Sequence, residues 1–217
     1  MVKAFKNKTL RQITPPVIEG FKQELLSTPT GHGKKRSVAT VNYYIRILSK
    51  IFSMAVDAEI LESNPCRRVK KLRVDNQRER VLSDAEERAL LKALSNNPPV
   101  QQIVILALHT GMRRGEIFSL AWKDVDFERR LIFVQQSKSG KKRIIPMNAT
   151  ISEMLRNMVR RGDLVFPSPL TGGRLDNIKR SFTRALKEAG IENLKFHDLR
   201  HTAATRMADA GADAFTL

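Results

Sequence analysis

Cysteine, tryptophan and tyrosine are scarce in this 217-residue sequence, which contains one Cys, one Trp and two Tyr. The single cysteine, Cys66, excludes an intramolecular disulfide and a cysteine-based zinc site. The sequence has no apolar run of about 18 residues, the length that a transmembrane helix requires. Its first residues, MVKAFKNKTLRQ, are basic but lack the apolar run of a secretory signal. These absences predict an intracellular, cytoplasmic protein.

Charge is the first positive indication of function. The chain has 39 Lys and Arg against 22 Asp and Glu, a formal net charge of +17. Such a balance favours a polyanionic partner, either nucleic acid or an anionic membrane surface. No long Lys-rich amphipathic helix carries aromatic anchors, so we expect nucleic acid rather than a membrane. The alternative is that part of the charge only confers solubility.

The first 65 residues are predicted to form a helical domain. Thr14 followed by two prolines is typical of a helix N-cap, and this helix would run to about residue 26. Apolar residues at helical spacing predict a second helix over residues 37–61, and Asn64-Pro65 ends it.

Residues 66–82 are predicted to be a basic linker. Residues 66–81 hold seven basic and two acidic side chains and show little apolar periodicity. Two interpretations stay open, a simple solvated segment and a strap that lies along DNA phosphates.

The second domain is predicted over residues 83–217 and begins with helices. Ser83 and Glu86 have the spacing of a capping box, for a helix that ends near residue 96. A buried helix follows, with Gly111 as its C-cap, and a short helix covers about residues 114–122.

A β-hairpin and two further helices complete this prediction. Residues 131–136 and 142–146 are typical of strands joined by a tight turn. One helix is predicted at Thr150, which forms a capping box with Glu153, and another after Asp176. The predicted fold class is mostly α with a small antiparallel β-sheet.

Three groups of residues can carry chemistry, and the first lies between residues 109 and 116. Arg113 and Arg114 directly follow the predicted helix C-cap, and Glu116 lies three residues after Arg113. An arginine at this place can present its planar guanidinium to a phosphate while Glu116 holds it or the nearby backbone. The alternative is a surface arginine pair beside an ordinary turn.

The second group is the basic hairpin turn that contains Lys138, Lys141, Lys142 and Arg143. A lysine at a tight turn can reach into a groove or donate a proton to a leaving oxygen. The alternative is that these side chains only decorate an exposed turn.

The third group is His197-Asp198-Leu199-Arg200-His201. At a helix start His197 and Arg200 share one face, which suits proton transfer at a phosphate whose charge the arginine neutralises. His197 and His201 also have the spacing of a metal-ligand pair, or could be core histidines. The glutamate of the zinc-protease motif and a third ligand are missing, so we predict no metal.

Taken together, these groups resemble the tyrosine recombinases, the phage integrase family. Members carry T-G-x-R-x-x-E, a lysine on a β-hairpin, H-x-x-R, a later His or Trp, and a tyrosine nucleophile. Residues 110–116 match the first block through Arg113, Lys138 matches the hairpin lysine, and His197 with Arg200 matches the third block. Residues 14–65 are similar to the helical core-binding (SAM-like) domain, so the likeness covers nearly the whole chain.

The resemblance implies a mechanism and residue roles. In the family, a tyrosine attacks the scissile phosphate, which gives a 3′-phosphotyrosine and a free 5′-hydroxyl without metal or nucleotide cofactor. By this resemblance Arg113 and Arg200 would stabilise the phosphorane, and Lys138 would protonate the leaving 5′-oxygen. His197 would accept a proton or a hydrogen bond near the nucleophile, and Glu116 would support the site.

The sequence departs from the family pattern in its tyrosines. Tyr43 and Tyr44 lie in the predicted second helix and match no nucleophile position, and the chain reaches Leu217 only 17 residues after Arg200. We therefore expect a chain cut short before the nucleophile, which binds DNA without cleaving it.

The implied partner is double-stranded DNA at a core recombination site, clamped by two basic domains. Asn42, Arg46 and Lys50 share the polar face of the second helix and are candidates for major-groove contact, or form an ordinary solvated face. The other candidate DNA contacts are the basic residues of the linker and the hairpin: Arg67, Arg68, Lys70, Lys71, Lys141, Lys142 and Arg143. The resemblance further implies a homotetramer on DNA when the protein is full length, with accessory DNA-bending or directionality proteins possible.

Two other functions compete with this hypothesis. A type IB topoisomerase shares the chemistry but would not bring this N-terminal domain. A non-catalytic regulator or decoy that occupies integrase sites fits a chain without the nucleophile.

Overall fold

Two units make up the chain, Met1–Gln77 and Arg78–Leu217. The computed structural model describes residues 4–31, 33–73, 80–135 and 142–211. In the first unit, α1 spans Pro15–Ser27 and α2 spans Val38–Asp57, and a 3₁₀ turn follows at Pro65–Arg68. In the second unit helices come first, a small sheet follows, and further helices end the described chain: α3 Asp84–Ala93, α4 Pro98–Thr110, α5 Arg114–Phe118, β1 Val125–Asp126, β2 Leu131–Val134, β3 Arg143–Pro146, α6 Ala149–Arg156, α7 Lys179–Glu188 and α8 Asp198–Asp209.

The first unit is built on the apolar faces of α1 and α2. Ile18 and Phe21 of α1 pack with Ile45, Leu48 and Phe52 of α2 in one buried cluster. Burial of five large apolar side chains stabilises this helix pair by about 1.5–3 kcal/mol for each side chain. The helix after Thr14 is thus present where the sequence predicts it.

The second predicted helix is shorter than expected. It begins after Ser37, whose hydroxyl accepts the Thr40 N–H, and it ends at Asp57 instead of residue 61. Glu59 adopts a left-handed backbone with φ of 58°. This turn folds the N–H of Ile60 back onto the Ala55 carbonyl at 2.9 Å, which stops the helix.

The predicted linker also begins later than residue 66. Cys66 and Val69 are buried in the core of the first unit, and burial raises the pKa of the Cys66 thiol to about 11. The Asn64 side chain fixes this segment, because its oxygen accepts the Cys66 N–H at 2.9 Å and its amide donates to the Ser49 carbonyl at 2.9 Å. The chain from residue 66 to 69 is therefore part of the first unit's packing.

Asn42 differs from its predicted place in a DNA groove. Its amide donates to the Leu72 carbonyl at 2.9 Å, and its oxygen accepts the Leu72 N–H at 3.0 Å. The Asn42 side chain thus binds the backbone of Leu72 to α2. Its amide group is used inside the first unit and does not project freely into solvent as a groove contact would.

We expect Asn42→Ala to lower the free energy of unfolding by about 1–3 kcal/mol, because Leu72 loses both hydrogen-bond partners. Arg46→Ala is the matched control, since Arg46 is exposed one turn away on the same helix. Urea unfolding of both variants measures the difference. Equal stability of the two variants would contradict the structural role of Asn42.

The second unit places a three-stranded antiparallel sheet beside its helices. The strand order is β1-β2-β3, and Val134 of β2 pairs with Arg143 of β3. A single apolar core, which includes Leu90, Ile103 and Leu199, joins α3, α4 and α8. This architecture confirms the predicted class, mostly α with a small antiparallel sheet. In the described residues no helix is long and apolar enough to cross a membrane.

The cap of α6 differs from the predicted capping box at Thr150. Asn148 is the N-cap, and its side-chain oxygen accepts the Ile151 N–H at 3.0 Å. Both residue types are good N-caps, and strand β3 ends at Pro146, close enough for Asn148 to take the position first.

Candidate active site

The turn between α4 and α5 depends on Gly111. This glycine has a left-handed backbone, with φ of 61°, as the predicted C-cap of α4 requires. A Cβ at this position would lie 3.6 Å from Cβ of Ala203 and 4.0 Å from Cγ of Arg200. The turn therefore lies directly against α8, which carries the third group of residues.

Arg113 is the N-cap of α5 and is held by Glu116. One Glu116 oxygen accepts the Arg113 backbone N–H at 2.8 Å, and the other accepts Nη1 at 3.1 Å. The Glu116 side chain is 5% exposed, whereas that of Arg113 is 38% exposed. Glu116 thus binds the backbone N–H of Arg113 and one nitrogen of its guanidinium. The exposed part of the Arg113 side chain is available to an anion.

Arg200 joins the third group to the first. Its Nη1 donates to the Gly111 carbonyl, so the α4–α5 turn, which leads into Arg113, also binds the Arg200 side chain. Burial lowers the pKa of Arg200, the positive charges of Arg143 and Arg113 lower it further, and Glu116 acts against them. The Glu116 carboxylate binds the guanidiniums of Arg113 and Arg143, and the Arg200 guanidinium is close enough to be influenced by all three charges. This excess of positive charge attracts a phosphate.

His197 lies exposed at the start of α8, as its N-cap residue. Its ring is perpendicular to that of His201, with 5.1 Å between the centroids. Burial lowers the pKa of His197, and the nearby charges of His201, Arg200 and Arg113 lower it further against the opposing effect of Asp198. The lowered pKa favours the neutral ring, which can accept a proton. Across the described ranges, no three His, Cys, Asp or Glu side chains group as a metal site would require.

Lys138 and Lys141, the predicted catalytic and DNA-binding lysines of the hairpin, lie outside the described residues. Lys142 is exposed just before β3. Arg143 differs from the exposed DNA contact that we predicted, because its Nη2 donates to Glu116 at 2.7 Å. The first residue of β3 is thus drawn into the Arg113 site.

The other predicted DNA contacts lie on the surface of the first unit. Arg46 is exposed and stacks over Tyr43, with 5.2 Å from its Cζ to the ring centroid. Exposed cations also include the following: Lys50, Arg67, Arg68, Lys70 and Lys71. These side chains are accessible to a polyanion.

Sequence reasoning missed Arg174. Its Nη2 donates to the Gly115 carbonyl at 3.3 Å, and it lines a cleft of about 730 Å³ together with Arg113, Glu116 and Gln135. The residue stands in a Thr-Gly-Gly-Arg loop with no periodicity or motif, so no sequence signal marked it.

His109, next to this turn, makes the stability of the protein depend on pH. Its Nδ1 lies 2.8 Å from the Asn148 amide nitrogen, so a neutral ring accepts this hydrogen bond. Burial is the largest cause of a lowered pKa of His109, Glu87 opposes it, and Arg206 adds to it. The unfolded chain therefore binds this proton at a higher pH than the folded chain does.

The direction in which stability changes with pH follows from this difference in proton binding. The contribution of neutral His109 to stability is complete above the ordinary histidine pKa of about 6.5 and is lost as the pH falls below it. We expect the wild-type chain to lose more stability than His109→Gln between pH 8 and pH 5, measured as thermal unfolding at each pH. Parallel curves for the two proteins would show that His109 is not the titrating group.

The comparisons with known proteins identify the family of the chain. Residues 80–217 match the family model of the phage integrase family, and residues 1–72 match that of the phage integrase SAM-like domain. The chain is 32% identical over 183 residues to the shufflon-specific DNA recombinase of Escherichia coli, covering 83% of this chain and 46% of that protein. It is 29% identical over 199 residues to the integrase of Salmonella phage P22, covering 84% and 50%. The chain thus spans about half the length of these relatives.

Solved structures show the same fold. A crystal structure of a lambda integrase dimer bound to a COC′ core site matches with a TM-score of 0.78 and 22% identity, over 99% of this chain and 82% of that one. The Tn1549 transposon integrase in complex with circular intermediate DNA matches with a TM-score of 0.74 and 20% identity, over 98% and 80%. The chain belongs to the phage integrase family, which confirms the family predicted from its sequence motifs.

Proposed function

We propose that this chain is the DNA-binding and phosphate-activating body of a site-specific recombinase. In this proposal the core-binding domain extends past residue 65 to include the packed residues 66–69, a connection follows it up to residue 82, and residues 83–217 are the catalytic domain. The observation that supports it most is the joining of Arg113 and Arg200 through the Gly111 turn. Two guanidiniums held by one turn match the equatorial oxygens of a phosphorane.

Each side chain has a defined part in this reaction. The tyrosine oxygen forms a bond to the scissile phosphorus while the bond to the 5′-oxygen breaks. His197 accepts the proton of the tyrosine hydroxyl, and Lys138 gives a proton to the leaving 5′-oxygen. Arg113 and Arg200 hold the non-bridging oxygens, and Glu116 supports Arg113.

The nucleophile is not among these 217 residues in our proposal. Tyr43 and Tyr44 are adjacent in α2, with 6.2 Å between their ring centroids, and they precede every motif of the catalytic domain instead of following the H-x-x-R block. This polypeptide would therefore bind duplex DNA without forming a covalent adduct. A longer chain with the tyrosine would assemble as a homotetramer on two duplexes, with accessory DNA-bending proteins as further partners.

The tyrosine positions also support a second candidate function. A chain that has the phosphate site, and whose Tyr43 and Tyr44 match no nucleophile position of the family, fits a regulator that occupies integrase sites without cutting. The two functions differ in one property, since only the recombinase gains cleavage when a tyrosine-bearing segment is supplied.

Selection of duplexes from a random-sequence library tests DNA binding. The chain should enrich a defined core sequence and bind it more tightly than a scrambled duplex of the same length and composition. A polylysine of similar charge is the control for unspecific attraction. Equal binding of the selected and scrambled duplexes would contradict a site-specific DNA-binding protein.

A further inference from the structure

The carboxylate of Glu116 is shared between Arg113 and Arg143. The oxygen that accepts the Arg113 backbone N–H at 2.8 Å also accepts Nη2 of Arg143 at 2.7 Å. The other oxygen accepts Nη1 of Arg113 at 3.1 Å. Both side chains of the Glu116–Arg143 pair are shielded from water, at 5% and 28% exposure, so this ion pair is screened less than a surface pair.

This pair connects two elements that the proposed reaction uses. Arg143 is the first residue of β3 and lies opposite Val134, at the hairpin end of the sheet. Glu116 is in α5, whose N-cap is Arg113. The ion pair therefore joins the first residue of β3 to the helix whose N-cap is Arg113.

The shared carboxylate also determines how many Arg113 donors stay available. A carboxylate beside one arginine prefers a two-pronged pair, which would take two N–H groups of Arg113. Because Arg143 and the Arg113 backbone N–H together hold one oxygen, Glu116 accepts only one side-chain N–H of Arg113. The remaining donors of Arg113 are left for a phosphate, and its positive charge is only partly neutralised.

We infer that Arg143 is a positioning residue for Arg113 and not a contact to DNA. Without Arg143, the Glu116 carboxylate turns both oxygens to the Arg113 guanidinium and competes with the phosphate. This inference rests on the proposed function, in which Arg113 binds the scissile phosphate.

A binding experiment with neutral phosphate analogues tests this role without a nucleophile. In the duplex selected by the chain, each phosphate is replaced in turn by an uncharged methylphosphonate. One of these replacements should weaken the binding of the wild-type chain without weakening that of Arg113→Gln. The phosphate at that position is the one that Arg113 contacts. We expect Arg143→Gln to bind the all-phosphate duplex about tenfold more weakly than the wild-type chain does. On the duplex with methylphosphonate at that position, the two proteins should bind equally tightly.

Two further variants make the result specific. Lys142→Gln removes a neighbouring exposed cation and should lower the affinity for both duplexes by the same factor, as the loss of any general phosphate attraction would. Glu116→Gln removes the competing carboxylate, so the double variant Glu116→Gln/Arg143→Gln should bind the all-phosphate duplex more tightly than Arg143→Gln alone. Arg143→Met, which keeps the aliphatic stem of the side chain, is the reporting variant if Arg143→Gln does not fold.

Two outcomes would overturn the inference, and they are distinguishable. An equal loss on both duplexes for Arg143→Gln would make Arg143 a direct DNA contact while leaving the proposed function intact. If no single methylphosphonate distinguishes the wild type from Arg113→Gln, Arg113 does not bind a particular phosphate. The proposed function and the positioning role would then fail together.

Discussion

Replacing Arg113 with Ala is expected to lower the rate of DNA strand cleavage by about 10²–10³-fold in a chain extended to include the tyrosine nucleophile. The expected loss is large because Arg113 is half-exposed beside Arg200 and is aimed by two hydrogen bonds to Glu116. A donor fixed in advance stabilises the charge that develops on the phosphorane without reorganising. Single-turnover cleavage of the selected duplex under saturating protein measures this loss separately from binding.

Arg114→Ala is the matched control for Arg113→Ala. The two arginines are adjacent and equally charged, but Arg114 is exposed and lies over the Phe118 ring with 6.0 Å from its Cζ to the centroid. We expect its cleavage rate to stay within about threefold of wild type, since it contributes no oriented donor to the site. Comparable losses for both variants would mean that total charge rather than the geometry of Arg113 matters.

The affinity of the chain for duplex DNA is expected to fall by about 10³–10⁵-fold between 50 mM and 200 mM salt. The reason is the net charge of +17 and the exposed cations of the first unit, which would release counterions from six or more phosphates. Fluorescence anisotropy titrations at several salt concentrations give the slope of log affinity against log salt.

A quadruple variant localises the salt effect. Replacement of Arg67, Arg68, Lys70 and Lys71 by Gln should reduce the slope by up to about 0.9 for each lost contact, because all four are exposed in the described structure. An affinity that scarcely changes with salt in the wild-type chain would contradict binding through phosphates.

Local signals account for the parts of the fold that the sequence predicted well. Thr14 and Ser83 are helix N-caps in the structure, and Gly111 is the left-handed C-cap of α4. Each of these signals acts within three or four residues. Strand β1 was not predicted because it has only two residues, Val125 and Asp126, too few to show alternation.

Contacts distant in sequence explain what could not be predicted in the site. The spacing of Arg113 and Glu116 indicates their contact, because they lie three residues apart on a helix start. No sequence pattern predicts that Arg200 donates to the Gly111 carbonyl, 89 residues away. The same is true of Arg143, which binds Glu116, 27 residues away. The same holds for Asn42 and Leu72, 30 residues apart. Tertiary packing brings these pairs together. In two of them a residue that we predicted to contact DNA, Asn42 or Arg143, makes a hydrogen bond within its own unit.

The most direct test of the central claim is a covalent trapping experiment on a nicked suicide duplex that carries the selected core sequence. The 217-residue chain and a chain extended by a tyrosine-bearing C-terminal segment are compared on native and denaturing gels. We predict that both chains bind and that only the extended chain gives a covalent adduct. An adduct with the 217-residue chain would contradict our account of Tyr43 and Tyr44, and an extended chain that binds without an adduct would favour the regulator.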